Sequence, residues 1–282
     1  MSTIHKGSLT LRETLPYQFK ARKRLGQNFL VDREILEKII SYADVKDDDV
    51  VLEVGSGTGL LTKLLQERVG RVIAVEKDQR LVQVLRERFK NNPKVEIING
   101  DVLKTDLPEY DKVVATPPYN ISSKLLFMLT DRKYKSMTLT FQKEFAERLI
   151  AKPGTREYGR LTVMIKHRAN PEILDYISRE AFRPRPRVDS AIVRITPKIS
   201  IQKIDEKIFS DLVRGLFTQR RRNLRSALRH YVERRIGQPF TAMPDVEFIN
   251  KRVYQLNIEE FEALTREFER SPLKDSIQNG AH

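Results

Sequence analysis

The period of hydrophobic and polar positions changes several times along the chain, and each change marks an element. Short β-branched runs at 50–54, 71–76, 95–98 and 112–115 read as strands. Between them, 60–69 and 79–90 are helical patterns, with Leu81, Val82, Leu85 and Phe89 recurring at helical spacing. A fifth run, 137–141, precedes a helical 144–151. Strand, helix, strand in this order predicts an α/β domain: a doubly wound, Rossmann-like, mostly parallel sheet covered by helices on both faces. After Pro197 the alternation stops. Ile208, Leu212 and Leu216, then Leu224, Leu228 and Tyr231, then Phe261 and Leu264 fit helical faces, which predicts a smaller all-helical C-terminal domain over 205–270. The expected division is 1–198 and 199–282, with loose polar tails at 1–20 and 272–282.

Composition narrows the function classes. With 282 residues, 40% hydrophobic and 32% charged, the chain is long enough for one large or two unequal globular domains. It has no cysteine, which excludes disulfides, thiolate metal sites and a cysteine nucleophile and suits a reducing compartment. His5, His167, His230 and His282 are scattered without ligand spacing, so no metal is expected. No apolar run approaches the ~20 residues that span a bilayer. No apolar stretch follows His5, Lys6 and Arg12 either, so a cytoplasmic chain without a secretory signal or membrane contact is expected.

Charge adds a partner. Lys and Arg outnumber Asp and Glu by 52 to 38, a net +14 that fits a polyanion, nucleic acid first, although a basic surface also serves solubility alone. Three clusters stand out: Lys20, Arg22, Lys23 and Arg24; Arg183, Arg185 and Arg187; and Arg220, Arg221, Arg222, Arg225 and Arg229. Arg221, Arg225 and Arg229 recur every four residues and would line one helix face. Such a stripe suits a phosphate backbone, with binding that weakens steeply in salt; a solvated helix face has the same pattern.

The sharpest motif is Glu53-Val54-Gly55-Ser56-Gly57-Thr58-Gly59, after a strand and before a helix. Glycine there permits a tight turn and close approach of backbone to a ligand at the helix N-terminus, although a ligand-free tight loop has the same need. Leu60 stands where the dinucleotide fingerprint wants Gly or Ala, and Glu53 ends the strand just ahead. An anion at that point repels a pyrophosphate but suits an ammonium and a sulfonium. Glu76 closes the second strand, where a carboxylate can accept both hydroxyls of a ribose. Asp101 stands after the third, where it could accept from an exocyclic adenine amine. Each acid alone reads as a solvated loop residue. Together they point to a nucleoside with a cationic tail, S-adenosyl-L-methionine, and the expected contact set adds Gly55, Gly57, Lys77, Val102 and Thr116.

Thr116-Pro117-Pro118-Tyr119 follows the fourth strand. An adenine N6 lone pair is delocalised into its ring and attacks a methyl group poorly while planar. Acceptors on its two hydrogens favour the pyramidal form, and proton loss can follow transfer, so no strong base is required. The Pro117 carbonyl can supply one acceptor, held by proline rigidity. A plain strand ending is the alternative for this tetrapeptide.

These motifs carry a resemblance. The chain resembles the KsgA family of ribosomal-RNA adenine dimethyltransferases, in its archaeal and eukaryotic form, over most of residues 22–235. Besides the glycine motif, Leu25-Gly26-Gln27-Asn28-Phe29-Leu30 is similar to the family's N-terminal signature, and Phe182-Arg183-Pro184-Arg185-Pro186-Arg187-Val188-Asp189-Ser190 to its F-x-P-x-P-x-V-x-S loop. Gln142-Lys143-Glu144 and Tyr158-Gly159-Arg160-Leu161 match further signatures.

The resemblance implies a class I methyltransferase sheet, with Gln27, Asn28 and Leu30 folded over the cofactor and Tyr119 and Phe182 sandwiching a flipped adenine. Its implied substrate is two adjacent adenines in the 3′-terminal hairpin loop of small-subunit ribosomal RNA, dimethylated at N6 by a monomer on a pre-ribosomal particle. Arg22, Lys23, Arg183, Arg185, Arg187, Arg221, Arg222 and Arg225 become RNA contacts. The chain departs from the family's N-L-P-Y form at Thr116, where a shorter acceptor replaces Asn, and at Pro117, which replaces Leu. Two further readings therefore stand beside dimethylation of that loop: methylation of another RNA or DNA adenine, and an assembly factor that has kept the fold and lost turnover.

Overall fold

Strands form where the β-branched runs lie, and those at 50–54, 71–76 and 112–115 are buried within a sheet whose partly buried edge is the run at 95–98. The computed structural model describes residues 20–199, 204–240 and 244–274. The tails expected to be loose lie outside these residues, apart from Lys20 and 272–274. In chain order the elements are β1 (Phe29–Leu30), α1 (Arg33–Ala43), β2 (Val50–Val54), α2 (Leu60–Leu65), β3 (Arg71–Glu76), α3 (Gln79–Phe89), β4 (Val95–Asn99) and β5 (Lys112–Ala115). There follow α4 (Ser122–Thr130), β6 (Ser136–Gln142), α5 (Lys143–Ile150), α6 (Arg160–Arg168), β7 (Ala169–Ile177), β8 (Phe182–Arg183), β9 (Ser190–Pro197), α7 (Glu206–Phe217), α8 (Leu224–His230) and α9 (Ile258–Glu269).

Seven strands form one sheet in the order β4-β3-β2-β5-β6-β9-β7. The β2 pairs with β3 and β5, and the β3–β4 and β5–β6 pairs, are parallel. β9 runs antiparallel to β6, with Thr140 opposite Ile192. Val51, Leu52, Val72, Ile73, Val113 and Val114 are wholly buried, as continuous apolar strands under two helical layers must be. The helix α1 went unread in the sequence because it precedes the first strand, yet its signals are present: Asp32 accepts from the N–H groups of Glu34 and Ile35, and Leu36, Ile39, Ile40 and Ala43 form the buried stripe. β7 and β9 were also unread; the run Ala191-Ile192-Val193 carried the signal for the second.

The chain divides into two compact units. One runs to Ala146 and resumes over Asn170–Pro197; the other comprises Glu147–Ala169 and the chain from Lys198 on. The expected cut after residue 198 is therefore incomplete, since 147–169 groups with the helices. Long-range bonds within the helical unit explain why. The Tyr158 hydroxyl donates to the Leu256 carbonyl at 2.6 Å, and the Arg220 guanidinium donates to the carbonyls of Thr155, Arg156 and Tyr158. Arg220, expected in an RNA-facing cluster, is thus a staple of this unit. His167 is buried, with Nε2 and Nδ1 each 2.8 Å from a carboxylate, Glu206 and Glu262 respectively, and its ring lies against Phe209. Burial opposes charge on the ring, but the two acids outweigh it and raise the pKa, and the two hydrogen bonds of the ring tie α6, α7 and α9 together. Among the described residues no helix is long and apolar enough to cross a membrane.

Candidate active site

In the sheet, β2 and β5 are neighbours from which the chain proceeds in opposite directions, first to β3 and β4, then to β6. Loops at the C-terminal ends of such strands diverge and leave a crevice. Here it is a cavity open to solvent. Its walls include Gln27, Asn28, Leu30, Glu53, Gly55, Gly57, Glu76, Lys77, Asp101, Val102 and Thr116, so every position expected to meet a cofactor is brought to one place. Arg24, Phe29, Pro118, Asn120 and Ile121 also line it and were not anticipated. The signal for Phe29 and Asn120 was only adjacency to motif residues.

The glycine turn is shaped by conformation and by space. Gly57 has φ of 56°, and a Cβ there would stand 3.1 Å from Cδ1 of the Phe29 ring. Its N–H donates to Oε2 of Glu76 at 2.9 Å, so the turn after β2 is tied to the end of β3.

The three acids differ in state. Glu53 is 2% exposed and accepts from the Thr62 hydroxyl at 2.5 Å; burial pushes its pKa up to about 8, with that hydroxyl opposing. Glu76 is also raised by burial, against the N–H groups of Asp78 and Gly57 that bond its two oxygens. Asp101 is lowered, chiefly by the Lys77 ammonium at 2.8 Å. A buried carboxyl that ionises reluctantly is stabilised in its charged form by a neighbouring cation. Glu76 keeps lone pairs for hydroxyl donors, and the half-exposed Asp101 can accept from an amine. The donor set therefore fits a nucleoside with a cationic tail.

Gln27 lines the cavity, but its amide is spent on the protein: Oε1 accepts from the Arg22 N–H at 2.6 Å and Nε2 donates to Asp78 at 2.9 Å. Asn28 donates to the Gly26 carbonyl at 3.3 Å. Leu30 is buried and pairs with Phe182 across β1 and β8.

That pairing corrects the expected base sandwich. Phe182 is 1% exposed, packed with Leu30, Leu36 and Ile192. Its ring meets Tyr119 edge-on, centroids 6.4 Å apart at 68°, which leaves no parallel gap for a base. Phe182 is a core residue that buttresses Tyr119. The Tyr119 hydroxyl shares a hydrogen bond of 2.5 Å with Ser190, and burial raises its pKa. Pro117 is buried and Thr116 half-buried, and Tyr119 opens the short helical turn Tyr119–Ile121 just beyond the cavity wall.

The residues expected to contact RNA lie on several elements. Arg183, which ends β8, and Arg185 and Arg187 on the loop beyond it are exposed, with Arg185 paired to Glu180 at 2.8 Å. Lys23 is exposed; Arg22 faces Asp78 at 3.4 Å. Arg221, Arg222 and Arg225 are exposed in the helical unit, but the expected stripe is broken. Asn223 accepts from the Ser226 N–H and starts α8 at Leu224, so Arg221 lies in the preceding turn while Arg225 and Arg229 share the helix.

Comparison with known proteins gives this arrangement its relatives. The family model described as ribosomal RNA adenine dimethylase matches residues 18–268. The chain is 42% identical over 253 residues to a protein from Thermococcus kodakarensis named probable ribosomal RNA small subunit methyltransferase A, covering 86% of this chain and 88% of that one. It is 45% identical over 215 residues to the Methanopyrus kandleri protein of the same name, covering 75% and 77%. Among solved structures it is similar to a dimethyladenosine transferase from Plasmodium falciparum, with a TM-score of 0.76 at 31% identity over 84% of this chain and 96% of that one. It is also similar to the 23S rRNA methyltransferase ErmE, with a TM-score of 0.64 at 27% identity over 86% and 100%. The family match spans most of the sequence, including the glycine turn, the three acids and the Pro-Pro-Tyr segment of this chain, and the chain belongs to the ribosomal RNA adenine dimethylase family.

Proposed function

We propose that this chain is an S-adenosyl-L-methionine-dependent ribosomal RNA adenine N6-dimethyltransferase. Its substrate in this reading is two adjacent adenines in the 3′-terminal hairpin loop of small-subunit ribosomal RNA, modified by a monomer on a pre-ribosomal particle in the cytoplasm. The observation that carries the reading is the meeting of Glu53, Glu76, Asp101, the glycine turn and Thr116 on one cavity. The small subunit is favoured over the large one because relatives at 42% and 45% identity carry the small-subunit name, whereas the 23S enzyme stands at 27%.

When bound, S-adenosyl-L-methionine supplies an electrophilic methyl group. The chain's own residues bind and orient. The turn at Gly55 and Gly57 admits a ligand close to backbone, Glu76 offers acceptors to ribose hydroxyls, and Glu53 gives a cation a buried counter-charge. The Thr116 hydroxyl and the Pro117 carbonyl accept from the two hydrogens of the target amine, which favours a pyramidal nitrogen. After transfer the amine's proton leaves to water, so no side-chain base is required. Tyr119, held by Ser190 and by the edge of Phe182, stacks on the base. Arg22, Lys23, Arg183, Arg185 and Arg187, with Arg221, Arg222 and Arg225 of the helical unit, contact phosphates. Residues 147–169 and those from 198 on form the RNA-recognition domain.

Glu53 makes cofactor binding dependent on pH. Its carboxyl titrates near 8, and a bound cation lowers that value, so binding below 8 releases a proton. Affinity should therefore tighten as pH rises from 6 to 8, by at most about tenfold per unit. Calorimetry with S-adenosyl-L-methionine in buffers of different ionisation heat reads the released proton. Glu53→Gln should weaken binding about tenfold and abolish the release; a pH-independent wild-type affinity would count against this role.

The decisive experiment incubates the chain and labelled cofactor with immature small subunits, large-subunit RNA and DNA. Primer extension should stop at two adjacent adenines of the small-subunit RNA, and the fragment mass should rise by four methyl groups. Label confined to another nucleic acid, or no cofactor-dependent stop, would sink the proposal. Turnover by the unmodified chain removes the reading as a non-catalytic assembly factor.

A further inference from the structure

The segment that walls the cavity on its N-terminal side is fastened at one residue that no motif marked. Asp78 is 1% exposed, at the N-cap of α3. Oδ2 accepts from Nε2 of Gln27 at 2.9 Å and Oδ1 from Arg22 at 3.4 Å, while Arg80 bonds both oxygens, at 3.0 and 2.6 Å. The fastening is closed on itself, because Oε1 of Gln27 accepts from the Arg22 N–H at 2.6 Å and Arg80 reaches the Lys20 carbonyl at 3.3 Å. It also continues inward. The Asp78 N–H donates to Oε1 of Glu76 at 2.8 Å, and the other oxygen of Glu76 accepts from the Gly57 N–H at 2.9 Å. One line of hydrogen bonds thus runs from the N-terminal segment to the glycine turn.

We propose that Asp78 is a positioning residue for cofactor capture, holding residues 22–30 over the cavity through Gln27 and Arg22 and coupling that hold to the glycine turn through Glu76. The inference rests on the reading of the cavity as a cofactor site. A cap alone needs no such arrangement: an N-cap requires one oxygen facing the first turn, and Asn serves that purpose as well as Asp. Asp78 makes that cap bond, Oδ1 accepting from the Arg80 backbone N–H at 3.2 Å, and in addition directs both oxygens at side chains, two of which belong to a segment 51 and 56 residues earlier. Charge-assisted bonds of this kind are roughly twice as strong as neutral ones, so an ionised Asp78 is the group best able to hold a loop at a solvent-facing rim. The Arg80 guanidinium keeps its pKa down at about 2, so it is charged across the working range.

The test separates capping from fastening. Asp78→Asn keeps the cap and the shape but loses the charge, and should weaken S-adenosyl-L-methionine binding about tenfold while kcat at saturating cofactor stays within about twofold. Gln27→Glu sets carboxylate against carboxylate and should weaken binding about thirtyfold. In the double variant the new amide at 78 donates to the new carboxylate at 27, and binding should recover to within about threefold of wild type. Calorimetry gives the affinities, steady-state kinetics the split between KM and kcat, and melting curves check that each variant is folded. Unchanged binding in folded Asp78→Asn, or losses that simply multiply in the double variant, would overturn the proposal. A wild-type chain that bound no S-adenosyl-L-methionine would overturn the cofactor reading and this inference with it.

Discussion

Gly57→Val is expected to weaken S-adenosyl-L-methionine binding at least about a hundredfold, because strain and collision act at the same atom. The residue has φ of 56°, where an L side chain costs about 1–2 kcal/mol and a β-branched one more. Its Cβ would stand 3.1 and 3.2 Å from two atoms of the Phe29 ring. Phe29 lines the same cavity, so a ring that gives way moves into the space the cofactor would occupy. If the turn shifts instead, the Gly57 N–H bond to Glu76 breaks, and in either case side-chain atoms enter the cavity. A hundredfold loss corresponds to about 2.7 kcal/mol, within what strain and collision supply together. Calorimetry on protein that retains its circular-dichroism spectrum is the check; a folded Gly57→Val variant with native affinity would show that the turn does not contact the cofactor.

Tyr119→Ala should act on the other substrate. A base stacked on an aromatic ring gains about 1–3 kcal/mol, so kcat/KM for RNA should fall between about tenfold and a hundredfold while cofactor affinity stays within about twofold. The separation is expected because Tyr119 stands outside the cavity that holds the acids. Tyr119→Phe should cost only a few-fold, since the ring remains against Phe182 and only the bond to Ser190 is lost. Equal losses in both variants would make the hydroxyl the working group, and a loss of cofactor binding would place Tyr119 in the wrong subsite.

Much of the site was legible because its residues occupy the ends of strands, and strands are local features. Glu53, Glu76 and Asp101 align from the sequence alone, since each stands at or just beyond the C-terminal end of a β-branched run. Asp78 could be read as a helix cap but not as a fastening point, because Gln27 and Arg22 are remote in sequence. The error over Phe182 has a similar cause. A phenylalanine ahead of prolines can plug a core or face a ligand, and only the Leu30–Phe182 pairing settles which. The arginine stripe failed for a local reason that was visible: spacing of four counts only inside one helix, and Asn223 begins a new one.

What the chain alone determined is the set of elements and the chemistry they carry. Burial on both faces selects β-branched runs, helical spacing selects amphipathic stretches, and the glycines and acids stand beside them in sequence. Tertiary structure decided what depends on distant partners. It placed 147–169 with the helices through Tyr158 and Arg220, made Phe182 core, and spent the Gln27 amide on Asp78. The division follows from range: propensity and periodicity act over a few residues, whereas burial and hydrogen-bond partnership are settled only when segments far apart in sequence meet.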